Sequence, residues 1–585
     1  MAASSRRLSI MLAVLTVLCL AVAPNLSAQG IDPGPRPPGT NPAPPSVCNV
    51  VTGGIPLKFP LTPCLDINQP PSNPAQPPAA GAGEIINNSG NLTEFWFQAL
   101  SVFETTAFVT SSANPPQTIV GLGPSFNALS CFACHSEPTV GGASPGKVTV
   151  NGNTQETTVA PGVPFLSVAQ NPEFIAASAN SATNTLPCFI GGGSGTGPCG
   201  IPLGDFPTED FSLGPVVEVR FPNGFTPPAG SNIDPVLAGA VANLFTFTGR
   251  TDENAPGCTI QQEPITAQIQ GGNAIFRTPT PTFGLGFVEN TSDLTLENNL
   301  ALFASTKAGL QIHGTFNRSG NDQTITKFGW KAQNKSLMIF AGEASNVEMG
   351  VTNELFPNER TTGSGSNCTP NELPEDEILN TTTSPGDASQ ISSSSQNNAV
   401  FMRLNGAPAQ CDFTSGLTGG GVPVCKPLTP GGAALQGQCF FGASSSTGAT
   451  FCATVTGGLP VTGIGCVLCH SDRLTTSNAP QQGLANFTYA PYSDFALHNM
   501  GSDGDGVMQG NAGPTQFRTA PLWGAGQRFF FMHDGRFIDL DHAIRGHCPN
   551  GDTPANNESC AVVQKYENNL SPAQETLILD FLRSL

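Results

Sequence analysis

Two five-residue motifs, CFACH at 131–135 and CVLCH at 466–470, constrain this chain more than any other feature. The pattern Cys-x-x-Cys-His is the attachment signal of c-type haem. Its two thiols form thioether bonds to the haem, and its imidazole is an axial ligand of the iron. We therefore predict two covalently bound haems. The cysteine anchors are Cys131, Cys134, Cys466 and Cys469, and the proximal iron ligands are His135 and His470.

The alternative is a pair of Cys-x-x-Cys zinc or redox motifs, each followed by an unrelated histidine. A structural zinc ion needs four ligands, which usually come from two closely spaced pairs of Cys or His residues. Neither motif has a second pair at ligand spacing in the sequence. Haem attachment is therefore the better interpretation of both motifs.

Residues 1–28 have the features of a secretory signal peptide. Arg6 and Arg7 form a positive start, an apolar run follows from Leu8 to Ala23, and residues 26–28 offer a cleavage site. A retained membrane anchor is the alternative, but the run is short for a spanning helix. We therefore predict a periplasmic or secreted protein with no membrane span in its mature chain.

The cysteine content is consistent with export. Of the 17 cysteines, Cys19 lies in the predicted signal peptide and four belong to the haem motifs, which leaves twelve. An even number in an oxidising compartment predicts disulfides, although sequence alone does not define their connectivity. Nearest neighbours suggest Cys48–Cys64, Cys188–Cys199, Cys411–Cys425, Cys439–Cys452 and Cys548–Cys560, with Cys258 and Cys368 left for each other.

The charge balance limits the partners of the chain. With 23 basic and 42 acidic residues, its net charge is −19 at pH 7, and only 11% of the residues are charged. An acidic surface of this kind argues against nucleic acids and anionic membranes as partners.

Composition divides the chain into five parts. Residues 29–90 are rich in proline and polar residues, which favours an arm or linker. Residues 358–455 are rich in Ser, Thr, Gly and Asn and contain several cysteines, which indicates a loop-rich, disulfide-stapled insertion. The predicted parts are the signal peptide 1–28, the arm 29–90, an N-terminal haem domain 91–357, the insertion 358–455 and a C-terminal haem domain 456–585.

The expected fold is mainly α, with two cytochrome c-like haem domains and long loop-rich insertions. Apolar stretches predict helices near 92–108, 297–310 and 334–344. The last helix has the clearest start, because Ser571, Pro572 and Gln574 supply an N-cap, a first-turn proline and a capping box.

Five segments of the sequence resemble the di-haem oxidoreductases, which are relatives of the bacterial di-haem cytochrome c peroxidases. They cover both predicted haem domains, but neither the arm nor the insertion. The segments are GLGPSFNALSCFACHSEPTVGG (121–142), KFGWKA (327–332), EMGVTN (348–353), YSDFALHNMG (492–501) and FRTAPLWGAGQRFFFMHDGRFIDLDHAIRGH (517–547).

The resemblance implies roles for two residues at the first haem. Glu348 matches the acidic residue that lies over the peroxidatic haem, where a carboxyl group with a raised pKa can take and deliver a proton. Trp330 lies close to the position of a tryptophan between the haems. The alternatives are an ordinary carboxylate at a helix end for Glu348 and core packing for Trp330.

The resemblance also implies that His547 is the distal ligand of the C-terminal haem, which would then have two axial histidines. His533 resembles a residue that neighbours the haem on the His-Asp-Gly turn. A surface histidine is the alternative for His547, and Met500 and His498 are rival ligands.

The distal position of the N-terminal haem has no neighbouring candidate, because no histidine occurs between His135 and His313. We expect this position to be open, or else capped by His313 or Met349. Asp503 and Asp505 could offer oxygen ligands to calcium, and a plain Gly-Asp turn is the alternative.

These features predict an exported di-haem c-type oxidoreductase that reduces peroxide at the N-terminal haem. The C-terminal haem would pass on electrons from a small redox protein or other donor. Two alternatives stay open at this point. One is a non-catalytic di-haem electron-transfer cytochrome, and the other is a di-haem oxygenase acting on a polymer.

Overall fold

The fold is known from a computed structural model. It describes residues 99–105, 107, 122–123, 125–137, 140–150, 153–156, 214–231, 233–246, 261, 263–360, 393–407, 410, 428, 431–443, 449–479 and 484–585. The predicted signal peptide and arm lie outside the described residues. So do the predicted disulfides Cys48–Cys64, Cys188–Cys199, Cys258–Cys368 and Cys411–Cys425.

Helices are the main regular structure among the described residues. They are α1 Ile265–Gln270, α2 Leu285–Glu289, α3 Asp293–Ala301, α4 Ala304–Gly309, α5 Leu337–Met349, α6 Ser394–Leu404, α7 Ala433–Phe441, α8 Ala449–Thr456, α9 Leu540–Gly546, α10 Cys560–Asn569 and α11 Pro572–Arg583. A mainly α chain is therefore confirmed. The two cytochrome c-like domains and their boundaries stay predictions.

The strands are short and form small separate sheets. They are β1 Ser125–Phe126, β2 Gly146–Val150, β3 Asn153–Glu156, β4 Gly214–Pro215, β5 Glu218–Arg220, β6 Phe245–Thr246, β7 Ile275–Arg277, β8 Leu474–Thr475, β9 Thr488–Tyr489, β10 Leu497–Asn499 and β11 Gln516–Arg518. The sheets have the orders β1-β6, β3-β2-β4, β5-β7, β8-β9 and β10-β11.

Local sequence signals explain where several helices begin and end. The hydroxyl of Ser336 accepts a hydrogen bond from the Ile339 N–H and caps α5. The capping box at Ser571 and Gln574 starts α11 as predicted. The stretch 297–310, predicted as one helix, is instead divided between α3 and α4, because Phe303 adopts a left-handed conformation with φ of 58°.

Each Cys-x-x-Cys-His motif lies against its own hydrophobic cluster. Phe132 of the first motif is buried in a cluster that also contains Phe103 and Phe401. Val467 of the second motif is buried in a cluster with Phe441 and Phe581. The motifs are therefore anchored in packed regions rather than in surface loops.

The predicted insertion is more ordered than its composition suggests. Helix α6 packs against α5 and α2, and helix α7 packs against α11. Aromatic residues on these helices, Phe401 and Phe441, enter the two clusters that hold the motifs. The prediction that this stretch is loop-rich and separate from the haem regions is therefore wrong for α6 and α7. Burial of a few aromatic side chains stabilises these helices even though the average composition of the stretch is polar.

Two of the predicted disulfides lie within the described residues, and both are confirmed. Cys439–Cys452 joins α7 to α8, and Cys548–Cys560 closes the segment between α9 and α10. Across the residues that the structure describes, none of the helices has the length and apolarity that a membrane span needs.

Gly437 provides a test of the contact between α7 and α11. A Cβ atom at Gly437 would collide with the backbone carbonyl of Leu577 on α11. We expect Gly437→Ala to lower the free energy of unfolding by about 1–3 kcal/mol through overpacking. Gly309→Ala is the control, because its Cβ would meet no atom within 4 Å and alanine favours a helix by up to about 1 kcal/mol. Denaturant unfolding would measure both, and equal stability of the two variants would contradict the packing.

Candidate haem sites

The first motif forms a tight turn. The backbone N–H groups of Cys134 and His135 donate to the carbonyl of Cys131 at 3.2 and 3.0 Å. The Nδ1 atom of His135 lies 3.2 Å from the Gly142 carbonyl. A carbonyl only accepts hydrogen bonds, so Nδ1 carries the proton and Nε2 keeps the lone pair that a metal ion needs.

The second motif has the same arrangement. Cys466–Leu468 forms a single 3-10 turn, and the His470 N–H donates to the Cys466 carbonyl at 2.9 Å. Nδ1 of His470 donates to the Tyr492 carbonyl at 2.9 Å. Burial lowers the pKa of both His135 and His470 to about 4. Both imidazoles are therefore neutral, as ligands must be.

The N-terminal motif lines a cavity of about 1680 Å³, including its opening to solvent. Part of its wall is apolar, from Phe103, Val217 and Leu244. The rest of its wall carries several ionisable side chains. They are Glu218, Arg220, Arg277, Glu343, Glu348 and Arg360.

The C-terminal motif lines a second cavity, of about 1520 Å³ including its opening. Its wall is mostly apolar, with Phe441, Phe531 and Tyr566 among the larger side chains. The described histidines in this wall are His470, His498, His533 and His547.

The residues present fit a covalently attached haem. The four motif cysteines take no part in disulfides, and each pair lies in a cavity wall beside a neutral histidine. Arg528 adds a second observation, because its Nε atom is buried in the C-terminal cavity region with no hydrogen-bond partner among the described residues. A carboxylate, such as a haem propionate, would supply the missing acceptor.

His547 lies at the end of α9, in the wall of the C-terminal cavity. Its Nδ1 atom donates to the Ala543 carbonyl at 2.7 Å, which leaves Nε2 as the basic nitrogen. After burial and the Tyr492 hydrogen bond, the next influence on the pKa of His470 is His547, which lowers it. The two imidazoles thus share the cavity with matching hydrogen bonds. This geometry supports a ligand pair, and the ligand role of His547 stays a prediction.

His498 is unsuited to bind iron, although it lines the same cavity. Its Nδ1 atom lies 2.7 Å from a Glu558 carboxylate oxygen, and its Nε2 atom lies 3.0 Å from Asp494. Both nitrogens are therefore engaged with carboxylates. Met500 also lines the cavity. It therefore stays the alternative to His547 as the distal ligand of the C-terminal haem.

The distal side of the N-terminal cavity has no second histidine among the described lining residues. His313, one predicted candidate, is exposed, and its backbone N–H donates to Glu558 near the other cavity. Its proposed role at the N-terminal haem is therefore wrong on geometry. Met349 does line the cavity, but it is also packed with Val102 and Val351.

Glu348, near the end of α5, lies in the wall of the N-terminal cavity. Asn127 donates from Nδ2 to its carboxylate at 2.9 Å, and the N–H groups of Asn127 and Ala128 donate to its backbone carbonyl. Burial, followed by the charge of Glu218, raises the pKa of Glu348 to about 7. The predicted acid–base residue thus has the environment that its chemistry needs, and its role stays a prediction.

The sequence reasoning missed Glu218 and Arg220 on strand β5. Arg220 donates from Nε to Glu218 at 2.6 Å, and both line the cavity. One sequence signal was available. In VVEVRF at 216–221, the two charged residues alternate with apolar ones and share one face of a strand.

Trp330 lines both cavities. Its Nε1–H donates to the Thr278 carbonyl at 2.7 Å, and its ring meets Phe517 and His533 edge-on at 6.4 Å between ring centres. His533 also lines the C-terminal cavity. The indole therefore lies between the two candidate haem sites, and a redox role for it stays a prediction.

The predicted calcium site does not form in the structure. Asp503 pairs with Arg536 at 2.5 Å, whereas Asp505 pairs with Arg277 and with Lys331. The Lys331 ammonium also contacts the carbonyls of Gly513 and Gln516. Within the described ranges, no group of three or more His, Cys, Asp or Glu side chains could hold a metal ion. Protein cations occupy the positions that a calcium ion would need.

The structure thus places each Cys-x-x-Cys-His motif in the wall of its own cavity, as the prediction of two c-type haems requires. Residues 444–585 match the family model described as "Di-haem oxidoreductase, putative peroxidase", so this C-terminal part of the chain is similar to that family. The match includes the second haem motif and His547, but not the first motif. Neither the curated proteins nor the solved structures include a match to the chain.

Haem stoichiometry is the first test of these sites. Expressed with export and haem-maturation machinery, the chain should carry two covalent haems and lack residues 1–28. Replacing Cys131 and Cys134 by alanine should leave one haem, because only the second motif keeps its thiols. Intact-mass spectrometry measures both numbers. One haem in the unchanged protein would refute the paired-site interpretation.

His547→Met tests the distal ligand of the C-terminal haem. Replacing one of two axial imidazoles by a thioether should raise the reduction potential of that haem. A spectroelectrochemical titration would measure the shift. His542→Gln on the same helix is the control, because His542 pairs with Asp539 and should leave the potential unchanged. An unshifted potential in His547→Met would transfer the ligand role to Met500.

Proposed function

We propose that this chain is an exported di-haem oxidoreductase that reduces a peroxide at the N-terminal cavity. Electrons would enter at the C-terminal cavity from a small redox protein. The family match of residues 444–585 supports the oxidoreductase class, and the two described disulfides support an oxidising compartment.

One observation carries the proposal, namely the difference between the two cavities. The C-terminal cavity holds His470 and His547, two imidazoles that each place Nδ1 on a backbone carbonyl. The N-terminal cavity holds His135 and, in place of a second described histidine, the carboxyl group of Glu348. An iron with two histidine ligands suits electron transfer, whereas an open position beside an acid–base group suits chemistry on a bound substrate.

When bound, the haems supply electrons and, in the N-terminal cavity, a coordination position for the peroxide. Hydrogen peroxide takes up two electrons and two protons and gives two water molecules. Glu348 would accept the proton of one peroxide oxygen and deliver it to the oxygen that leaves as water. A carboxyl group with a pKa of about 7 can do both near neutral pH.

Trp330 is suited to lie on the electron path between the cavities. Its ring borders both of them, and the hydrogen bond to Thr278 holds the indole in place. The Thr278 N–H in turn donates to the His533 carbonyl at 2.7 Å. A connected series of contacts therefore leads from one cavity wall to the other.

Glu348→Gln tests the catalytic proposal. It keeps the size of the side chain and removes its titrating group, so peroxide turnover should fall by about 100- to 10,000-fold. Both haems should still attach, and the C-terminal haem should still be reduced normally. Turnover with a reduced donor is measured by stopped-flow absorbance. Glu354→Gln, at an exposed position a few residues further on, is the matched control and should retain full turnover.

Two results would contradict the proposal. Turnover of Glu348→Gln equal to that of the unchanged protein would reject Glu348 as the acid–base group. No peroxide turnover by the unchanged protein, together with two low-spin irons that bind no added ligand, would identify an electron carrier instead. Oxygen-dependent cleavage of a polymer would favour the oxygenase alternative.

A further inference from the structure

A second carboxylate lies beside Glu348 in the N-terminal cavity. Glu218, the first residue of β5, lines this cavity together with Glu348, and the two carboxyl groups are close enough for the charge of Glu218 to raise the pKa of Glu348. Two carboxyl groups at this distance do not both ionise readily, because their negative charges repel each other. One shared proton removes the repulsion.

Guanidinium groups determine which of the two carboxyl groups keeps its charge. Arg220 donates from Nε to Glu218 at 2.6 Å and from Nη1 to the Gly239 carbonyl at 2.8 Å. Arg277 lies opposite Glu218 in the register of β5 and β7. Burial by itself raises the pKa of Glu218, but the charges of Arg220 and Arg277 outweigh it and lower the pKa.

Glu348 has weaker support for a negative charge. Asn127 donates a neutral hydrogen bond to its carboxylate, and the Asn127 Oδ1 atom accepts from the Leu244 N–H at 2.8 Å, which orients the amide. Arg360 acts on Glu348 through its charge, but its own donors go to the carbonyls of Val241 and Val347 and to Asn243. The proton is therefore expected on Glu348.

The other charged and titratable groups around the pair come from several elements. Cys134 of the first motif is close enough for both carboxylates to act on it, and Glu343 acts on Arg220. Cys134 would carry no titrating thiol once it is bonded to haem. The protonation of the Glu218–Glu348 pair is therefore determined mainly by the positive charges of Arg220, Arg277 and Arg360.

We propose that Glu218 and Glu348 form a proton-sharing carboxyl pair in the N-terminal cavity, in which Glu218 is the positioning residue for the acid–base group Glu348. This inference rests on the proposed peroxide reduction and deepens it. Glu218, held as a carboxylate by Arg220, receives the proton of Glu348 whenever Glu348 must accept one from substrate. Once Glu348 has accepted the substrate proton, the pair holds two protons; it delivers one to the oxygen that leaves as water and keeps the other, so it gains and loses no net proton in this exchange.

Cyanide binding to the oxidised, two-haem protein tests the pair without peroxide turnover. Hydrogen cyanide binds ferric haem as the cyanide ion, so its proton must pass to a base in the cavity. The pair would provide that base in the unchanged protein. The association rate, followed by absorbance between pH 5 and pH 9, reports on the base directly.

Glu218→Gln should slow cyanide association at neutral pH by about 10- to 100-fold, the usual effect of losing a group that supports an active residue. Glu348→Gln should have at least the same effect. The double variant should be little slower than Glu348→Gln alone, because residues that act as a unit give non-additive effects. Glu354→Gln is the matched control, because Glu354 is exposed and does not line the cavity, and it should keep the unchanged pH profile.

Arg220→Lys provides a second variant in case Glu218→Gln fails to fold or to attach haem. It keeps a positive charge but loses the Nε donor to Glu218, so cyanide association should slow in the same direction by a smaller factor. A pH profile equal to that of the unchanged protein in both variants would overturn the pair. So would strictly additive effects in the double variant.

The same experiments separate the two proposals. Normal peroxide turnover with an unchanged cyanide profile in Glu218→Gln would refute the carboxyl pair and leave the peroxidase function standing. Slowed cyanide association in Glu218→Gln, in a protein that reduces no peroxide, would support the pair and refute the peroxidase function.

Discussion

The buried ion pairs of Asp505 with Arg277 and Lys331 connect the two halves of the molecule. Arg277 Nη2 lies 2.5 Å and Lys331 Nζ 3.1 Å from the carboxylate, and all three side chains are almost fully buried. Breaking such a network by removing one partner typically costs about 3–5 kcal/mol, because a charge is left buried and unpaired. Arg277 faces the N-terminal cavity, Lys331 follows Trp330, and the Asp505 loop belongs to the C-terminal part. The network thus includes Arg277, whose charge helps to lower the pKa of Glu218, and the residue that directly follows Trp330 in the sequence.

The environment of each histidine decides what it can do. His135, His470 and His547 each place Nδ1 within hydrogen-bond distance of a backbone carbonyl, which favours the proton on Nδ1. His498 lies in the same cavity as the last two but between two carboxylates, which use both of its nitrogens. Residue type alone therefore cannot separate candidate ligands from charged histidines in this chain. The hydrogen-bond acceptors around each ring make that distinction.

The sequence could predict the parts of the site that local patterns encode. The helix start at Ser571 and two disulfides between neighbouring cysteines depend on short spacings, and both are confirmed. The haem motifs depend on a short spacing too, and haem attachment stays a prediction, as does the role of Trp330. Glu218 and Arg220 were not predicted as cavity residues. They reach the cavity only because β5 pairs with β7, and these two strands are distant in the sequence. The helices of the predicted insertion were missed for a related reason. Phe401 and Phe441 are buried by contacts with remote parts of the chain, and an average over a polar stretch hides them.

The packing of α7 against α11 has a consequence for the boundary of the C-terminal folding unit. Phe441 lies in the wall of the C-terminal cavity and contacts the rings of His470 and Phe581, yet it precedes the segment 444–585 that matches the family model. A fragment cut at the edge of that match would lose Phe441 from its cavity wall and expose the apolar face of its last helix to water. A piece of this half of the molecule that keeps the contact between α7 and α11 therefore begins before Ala433, within sequence that composition alone assigns to a loop.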